Sequence, residues 1–598
     1  MEQYVDCSLC SIEPKGKAAR CRRCSGMLTG RERLMHEIRE ARGWKYIATM
    51  LSAIAPGLGQ FFGSRIFTGI IFGTLIPLGL GLLYVTWGGF SYSHFFVIGA
   101  AIFVLIVASA DAWFGPTSPK APCQKACPAS LPIPDYLQLI ANQDLEQGYS
   151  LIRTRLPLVG TIGRICPHPC EDRCFRGIDG EPISINGCKR YLADMRAMRL
   201  EKGSELPPPL PLLEDGPKVA IIGSGPAGLS CAFYLSVLGA KVEVFDSDEE
   251  PGGRLISTIP DFRLPKEIIR TEIEDLKARG VTFRSGECVG PGGTSVGRIF
   301  DEFDATFLSI GAPQSIKLGI EGEEAFTDFQ DFLRVSKSEK PPKINGNVAI
   351  IGGGNAAVDA SRTALRCGAK QVHLLYRRDM DQMPARTDEL EAAMREGVKV
   401  HFLINPTRAI LEDGVLKGLE VVDMQLGLVD SSGRPKPVKR EGSERVMPFE
   451  LVIPCLGQTV ASTIFDDPAL ARLTRHKDGR VKVSTSTLRT SISGLYAGGD
   501  TVRGALTAVA AIADGRKAAL AIFADIAPRK VRAPLRRQVM VRVPYGGHQE
   551  SAKAKMRERM HSKPLSIRIS GFQEVEEGFN HAQASTEASR CLQCHREL

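Results

Sequence analysis

The 598-residue chain sets 76 Lys and Arg against 67 Asp and Glu, a formal charge of +9, and its apolar fraction of 43% is that of a globular protein. So modest an excess, with no nucleic-acid motif beside it, argues against a nucleic-acid partner, and the length calls for about three to five domains. Most of the 16 cysteines gather in short clusters, which argues against a secreted disulfide scaffold and points to metal sites in a reducing compartment.

Residues 1–30 place Cys7, Cys10, Cys21 and Cys24 in a CxxC-x10-CxxC pattern. Paired thiolates at that spacing are the ligands of a zinc ribbon, and a rubredoxin-like iron site is the alternative. Residues 31–45 read as a charged linker helix. The first 45 residues are polar and end in a basic run, so no cleavable leader is expected.

Residues 46–114 form a membrane region. The stretches 66–87 and 90–110 run for 22 and 21 residues without a Lys, Arg, Asp or Glu, and about 20 apolar residues span the hydrocarbon core. Soluble helices rarely lack a polar face, so the pair predicts a transmembrane hairpin. The preceding 46–64, interrupted by Pro56, Gly57 and Gly59, reads as interfacial or re-entrant. Arg31, Arg33, Arg39, Arg42 and Lys45 precede the block and Lys120 and Lys125 follow it. Positive residues stay inside, so the catalytic domains are expected on the cytoplasmic face of the inner (cytoplasmic) membrane.

Residues 115–205 are helical in pattern and carry Cys123 and Cys127 in "PCQKACP", Cys166, Cys170 and Cys174 in "GRICPHPCEDRC", and Cys188. Short cysteine spacings followed by proline present thiolates to [4Fe–4S] clusters. Zinc is the rival, but it cannot carry electrons. The proline-rich hinge "LPPPLPLLEDGP" then opens an α/β region.

"KVAIIGSGPAGLSCAFYLSVLGAKVEVFDSD" is an apolar strand, a glycine turn, a helix and a second strand. Gly223, Gly225 and Gly228, with Pro226 and Ala227 between them, make G-x-G-x-x-G, and Asp246 ends the second strand. Such a turn brings a pyrophosphate onto the helix N-terminus, and the acid accepts ribose hydroxyls. Gly253 and Arg254, in "PGGR", are added to this cofactor site. A second copy has Gly352, Gly354, Asn355 and Ala357 in its turn, and Arg377 and Arg378 where the first has Asp246. Guanidinium groups there pair with a 2′-phosphate, so this site is expected to take NADPH; a solvated pair of arginines is the plainer alternative. Later, "TSISGLYAGGDTVRG" ends a strand in Gly499 and Asp500 ahead of another helix.

Residues 120–598 resemble the small subunit of NADPH-dependent glutamate synthase and the N-terminal part of dihydropyrimidine dehydrogenase. The motifs "PCQKACPASLPIP", "GRICPHPCEDRC", "IIGSGPAGLS", "IIGGGNAAVDASRTALRCGA", "YRRDMDQMPA" and "EVEEGFNHAQASTEASRCLQC" carry the resemblance. It implies an α/β fold of two Rossmann-like domains in the glutathione-reductase-like arrangement. An FAD domain (216–312 and 458–527) is split by an NADPH domain (313–457), after a helical [4Fe–4S] domain and before a tail (528–598). It also implies that Asp500 contacts the ribityl chain and pyrophosphate of FAD, and that two clusters pass electrons between flavin and a partner.

One departure stands out. Relatives carry a CxxC shortly before the "PCQKACP" stretch, and here that position holds none. Cys591 and Cys594 supply a CxxC in the tail, so Cys123, Cys174, Cys591 and Cys594 are expected to hold one cluster and Cys127, Cys166, Cys170 and Cys188 the other. Cys231, Cys288, Cys367 and Cys455 are isolated, so a disulfide-reductase activity is not expected. The expected function is a membrane-tethered oxidoreductase, possible in either direction, that moves electrons from NADPH through FAD and the clusters. The acceptor is a ferredoxin-like protein, a membrane redox subunit or another membrane acceptor. No general acid or covalent nucleophile is required. A ferredoxin:NADP reductase and a nucleotide-binding regulatory module without turnover are the alternatives.

Overall fold

The structure is a computed structural model that describes residues 120–203, 216–429, 435–527 and 556–594, apart from 179, 339 and 461. The expected zinc ribbon, linker helix and transmembrane hairpin lie outside the described residues. Among the described residues no helix is long and apolar enough to cross a membrane. Those from Cys123 to Leu592 form one compact unit, while Gln593 and Cys594 belong with residues 120–122 to a second.

After a short helical turn at Pro122–Ala126, the amino-terminal described part is built from α1 (Ile133–Ala141), α2 (Leu145–Arg153), α3 (Val159–Ile165) and α4 (Ile185–Glu201). Helix α1 buries Ile133, Tyr136, Leu137 and Ile140, the spacing of one apolar face. Asp144 caps α2 by accepting from the Gln147 N–H. Helices α3 and α4 meet closely at Gly163, where a Cβ would come 2.9 Å from Arg190 Cα.

Strands β1 (Lys218–Ile222), β2 (Lys241–Asp246), β3 (Thr282–Ser285) and β4 (Ala305–Leu308) are all parallel in their pairings. Their apolar runs are those of a sheet covered on both faces. Helix α5 (Pro226–Leu238) connects β1 to β2, and α6 (Lys266–Ala278) precedes β3. A second parallel sheet has the order β12-β5-β6-β7, built from β5 (Asn347–Ile351), β6 (Gln371–Tyr376), β7 (Lys399–Phe402) and β12 (Leu451–Pro454). Helices α7 (Asn355–Arg366) and α8 (Thr387–Glu396) serve it. Between β7 and β12 the chain makes an antiparallel layer that motif reading does not anticipate. In it β9 (Val415–Val429) pairs with β8 (Ile404–Glu412), β10 (Pro435–Lys439) and β11 (Arg445–Pro448). The β8–β9 hairpin turns on Asp413 and Gly414, both at positive φ, as a two-residue Asp-Gly turn requires.

After that excursion β13 (Leu495–Ala497) returns to the first sheet and pairs with β4, giving the order β13-β4-β1-β2-β3. Helix α9 (Ala508–Ile526) packs on α5 so closely that a Cβ on Gly515 would fall 2.1 Å from the Ala227 carbonyl oxygen.

The carboxyl-terminal segment adds α10 (Leu565–Ser570) and α11 (His581–Ser589), the latter started by an Asn580–Gln583 capping box. Helix α11 packs on α1 and α4. There Tyr191 Oη and His581 Nδ1 are 2.7 Å apart, and buried Glu587 accepts from the Ser184 N–H at 2.6 Å. The segment thereby touches the first helices at one end and the second sheet's helices at the other.

Candidate functional site

Gly223 follows β1 with φ +99°, and a Cβ there would sit 2.4 Å from the Ser309 carbonyl oxygen, so only glycine fits. Gly228 is constrained by space, since its Cβ would lie 2.0 Å from the Gly223 carbonyl oxygen. Over Gly225 nothing lies within 4 Å. The turn is therefore hollow where a pyrophosphate would meet the free N–H groups of α5, whose first residue is Pro226 and second the buried Ala227.

Asp246 turns its carboxylate back on this turn. Its Oδ2 accepts from the Ser224 N–H at 2.6 Å and hydroxyl at 2.5 Å, and Oδ1 from the Asp248 N–H at 2.9 Å. Gly253 lies over the same turn, with its missing Cβ 3.1 Å from Gly225 Cα. Arg254 donates to Gln458 Oε1 and the Ala312 carbonyl and stands 4.0 Å from Asp500. The Gly499 N–H donates to Asp514 Oδ2 at 3.1 Å, and Asp500 accepts from the Leu506 N–H at 3.2 Å. Burial pushes the Asp500 carboxyl up, against the pull of Arg254.

The second turn repeats the design. A Cβ on Gly352, at φ +140°, would lie 2.3 Å from the Cys455 carbonyl oxygen, while nothing stands within 4 Å over Gly354. Asn355 opens α7 and Ala357 is fully buried. The two arginines after β6 diverge: Arg377 is exposed, whereas Arg378 is buried and donates to the Pro435 carbonyl at 3.1 Å.

A cavity of about 560 Å³ joins these parts. Gly225, Asp246 and Asp500 line it from the first sheet, and Asn355 and Asp359 from α7. Ile165 and Pro167, the neighbours of Cys166, line it as well.

Cys123, Cys127, Cys166, Cys170 and Cys188 are buried, and Cys174, Cys591 and Cys594 are half-buried. Burial pushes the thiols of Cys127, Cys170 and Cys188 up; Lys189 pulls the first two down and Arg557 the third, while thiol and acidic neighbours push them further up. These are Cys166 for Cys127; Glu171, Cys166 and Cys127 for Cys170; and Glu587, Glu171 and Cys591 for Cys188. Buried thiolates that repel one another need positive charge among them, which cluster irons supply, so this donor set fits. Cys188 also has Cys591, of the other expected set, in its field. Cys594 belongs to the second compact unit. Among the described residues no three His, Cys, Asp or Glu side chains converge as ligands of a single ion do; a cubane, with one thiolate per iron, spreads its ligands more widely.

Sequence reasoning missed Arg386, which donates to the Cys166 carbonyl at 2.9 Å and meets His168 Nε2. It also missed Ile165 and Pro167 as cavity wall. Only their adjacency to a cysteine motif could have pointed to them.

Residues 217–515 match the family of pyridine nucleotide-disulphide oxidoreductases. Residues 116–200 match the dihydropyrimidine dehydrogenase domain II, described as a 4Fe-4S cluster domain. The chain is 39% identical over 511 residues to the NADP(+)-dependent formate dehydrogenase subunit beta of Moorella thermoacetica, covering 80% of this chain and 71% of that one. It is 34% identical over 510 residues to the NADPH-Fe(3+) oxidoreductase subunit beta of Geobacter sulfurreducens (80% and 75% covered). With the glutamate synthase [NADPH] small chain of Escherichia coli the identity is 32% over 421 residues (66% and 87% covered).

Proposed function

Because the chain belongs to the pyridine nucleotide-disulphide oxidoreductase family and is an FAD-dependent NAD(P)H oxidoreductase, we propose that it passes electrons from NADPH through FAD and two [4Fe–4S] clusters to a partner redox protein. One observation carries this reading. The residues on either side of Cys166 line the cavity that also touches Gly225, Asp246 and Asp500, so the residue bearing a proposed cluster thiolate is the chain neighbour of two residues in that cavity's wall. The cofactors supply hydride acceptance and one-electron conduction when bound; the chain supplies their placement.

Gly223, Gly225, Pro226, Ala227 and Gly228 receive the FAD pyrophosphate, Asp246 its adenosine ribose, and Gly253, Arg254, Gly499 and Asp500 the rest of the cofactor. FAD is assigned to 216–312 and 458–527, and NADPH to 313–457. Gly352, Gly354, Asn355 and Ala357 receive the NADPH phosphates. Exposed Arg377 is the better placed of the two arginines for a 2′-phosphate, since Arg378 is engaged with Pro435. The eight cysteines between Cys123 and Cys594 that cluster in sequence hold the iron. Residues 66–87 and 90–110 tether the enzyme to the cytoplasmic membrane, with Cys7, Cys10, Cys21 and Cys24 as a zinc ribbon on the cytoplasmic side. Two of the relatives are named as beta subunits, which supports a partner.

The test compares two acceptors in Cys166→Ser. Reduction of a two-electron dye by NADPH is expected to persist, while reduction of a ferredoxin falls by about tenfold or more. Equal ferredoxin rates in the variant and the wild type would contradict the proposed exit.

A further inference from the structure

Cys166 ends α3 as its C-cap, at φ −68° and ψ 132°, and its carbonyl is one of those a helix end leaves without an intrahelical donor. The donor comes from 220 residues away, where Arg386 Nη1 reaches that oxygen at 2.9 Å. The same nitrogen meets His168 Nε2. His168 is held in turn: its φ of +39° is unusual for a residue with a Cβ, and its Nδ1 lies 3.4 Å from Glu171 Oε2. Its main-chain N–H donates to the Cys166 sulfur at 3.4 Å. Hydrogen bonds to ligand sulfurs and nearby net charge are two of the levers that set an iron–sulfur potential. Arg386 acts on both: its charge stands by the Cys166 carbonyl, and its grip on the His168 ring fixes the N–H···S bond.

The other end of Arg386 faces the second dinucleotide turn. Its main-chain N–H donates to Asn355 Oδ1 at 3.2 Å, and Asn355 follows Gly354 at the start of α7, where the turn is hollow. Asp388 grips the guanidinium, Nε at 2.9 Å and Nη2 on the second carboxylate oxygen, so that side chain and main chain move together. A phosphate arriving at the first N–H groups of α7 can accept from the Asn355 side-chain Nδ2, and so reorients the amide whose Oδ1 the Arg386 N–H holds.

We propose that Arg386 is a positioning residue that couples occupancy of the Gly354–Asn355 turn by NADP(H) to the properties of the iron–sulfur centre at Cys166. This rests on the function proposed above and adds regulation to it. The centre's potential responds to whether the nucleotide is bound, and by reciprocity the nucleotide's affinity responds to the charge of the centre.

The experiment uses the full chain in detergent, loaded with flavin and iron. The electron paramagnetic resonance signal and midpoint potential of the reduced cluster are recorded with and without NADP+, which donates no electrons. Wild type is expected to shift on addition of NADP+. Arg386→Ala is expected to keep its flavin and iron, to start from a lower potential because a cation has gone, and to show no NADP+-dependent shift. Arg386→Lys, which keeps the charge without the fork, restores the starting potential but not the shift. Asp388→Asn, a change at an exposed carboxylate, weakens the shift; should Arg386→Ala lose its iron, an undiminished shift in Asp388→Asn overturns the coupling. A shift in Arg386→Ala equal to wild type also overturns it. A wild-type cluster reduced by NADPH yet indifferent to NADP+ overturns the coupling and leaves the proposed function standing, whereas a chain with no cluster signal overturns both.

Discussion

Arg568, in the carboxyl-terminal segment, lies 2.8 Å from Glu396, whose carboxylate is fully buried at the end of α8. Arg362 and Arg366 share that carboxylate, each at 2.8 Å. Glu396 thus faces three guanidinium groups, of which Arg362 also pairs with Glu389 at 3.0 Å, and it ties the segment bearing Cys591 to the second sheet's helices. Glu396→Gln takes that counter-charge from Arg366 and Arg568 and leaves Arg362 with Glu389 alone. It is expected to destabilise the protein by about 3–5 kcal/mol, read as a fall in Tm with earlier proteolysis of the segment.

The same carboxylate sets an acid limit. Burial pushes Glu396 up, but the hydrogen bonds from Arg362 and Arg366 pull it further down, from an ordinary 4.5 to about 2. A depressed carboxyl contributes stability that is present above its unfolded value and is lost as pH falls through its folded one. The Tm difference between wild type and Glu396→Gln should therefore shrink as pH falls from 4.5 towards 2, and a difference independent of pH would contradict this.

Glu272 has the opposite sign. It accepts from the Gly160 N–H at 2.7 Å and the Thr161 hydroxyl at 2.5 Å, joining α6 to α3, and burial raises it to about 7. A raised carboxyl contributes stability fully present below its unfolded value of 4.5 and lost as pH rises through about 7. Glu272→Gln keeps the shape without the charge. Its Tm should gain on wild type steadily between pH 4.5 and 7 and then level off.

The two glycines of the first turn should fail differently. Gly225→Ala meets open space at φ −64°, so the apo-protein should keep its stability to within about 0.5 kcal/mol while flavin binding falls. Gly228→Ala drives a methyl to 2.0 Å from a main-chain oxygen and should lower the Tm of the apo-protein itself. Flavin content measured beside apo-protein Tm separates the two.

Cys591→Ser tests the tail as a ligand source. Loss of one cluster of two would remove about half the iron and acid-labile sulfide per flavin. Unchanged content would show that the sulfur beside Cys188 is not a ligand.

The two nucleotide turns were legible in the sequence because their chemistry is local: a glycine at positive φ, a hollow over Gly225 or Gly354 and a helix start lie within a few residues. The cysteine groups were legible as groups because their spacing along the chain is short, and spacing alone does not say which of them share a cluster. Arg386, Glu396 and Glu587 read as ordinary charged residues in polar stretches. Their meaning comes from partners far away in chain order, such as Cys166, 220 residues from Arg386, and Ser184, 403 residues from Glu587. The antiparallel layer of β8–β11 went unseen because no nucleotide motif marks it.

Electrons from NADPH are proposed to leave the flavin chamber past Cys166. Anaerobic titration of the flavin- and iron-loaded chain with NADPH, followed by electron paramagnetic resonance, tests this most directly. The account predicts a reduced-cluster signal that grows with added NADPH and is lost in Cys166→Ser while the flavin still bleaches. Flavin bleaching in wild type with no cluster signal at any level of NADPH would contradict it.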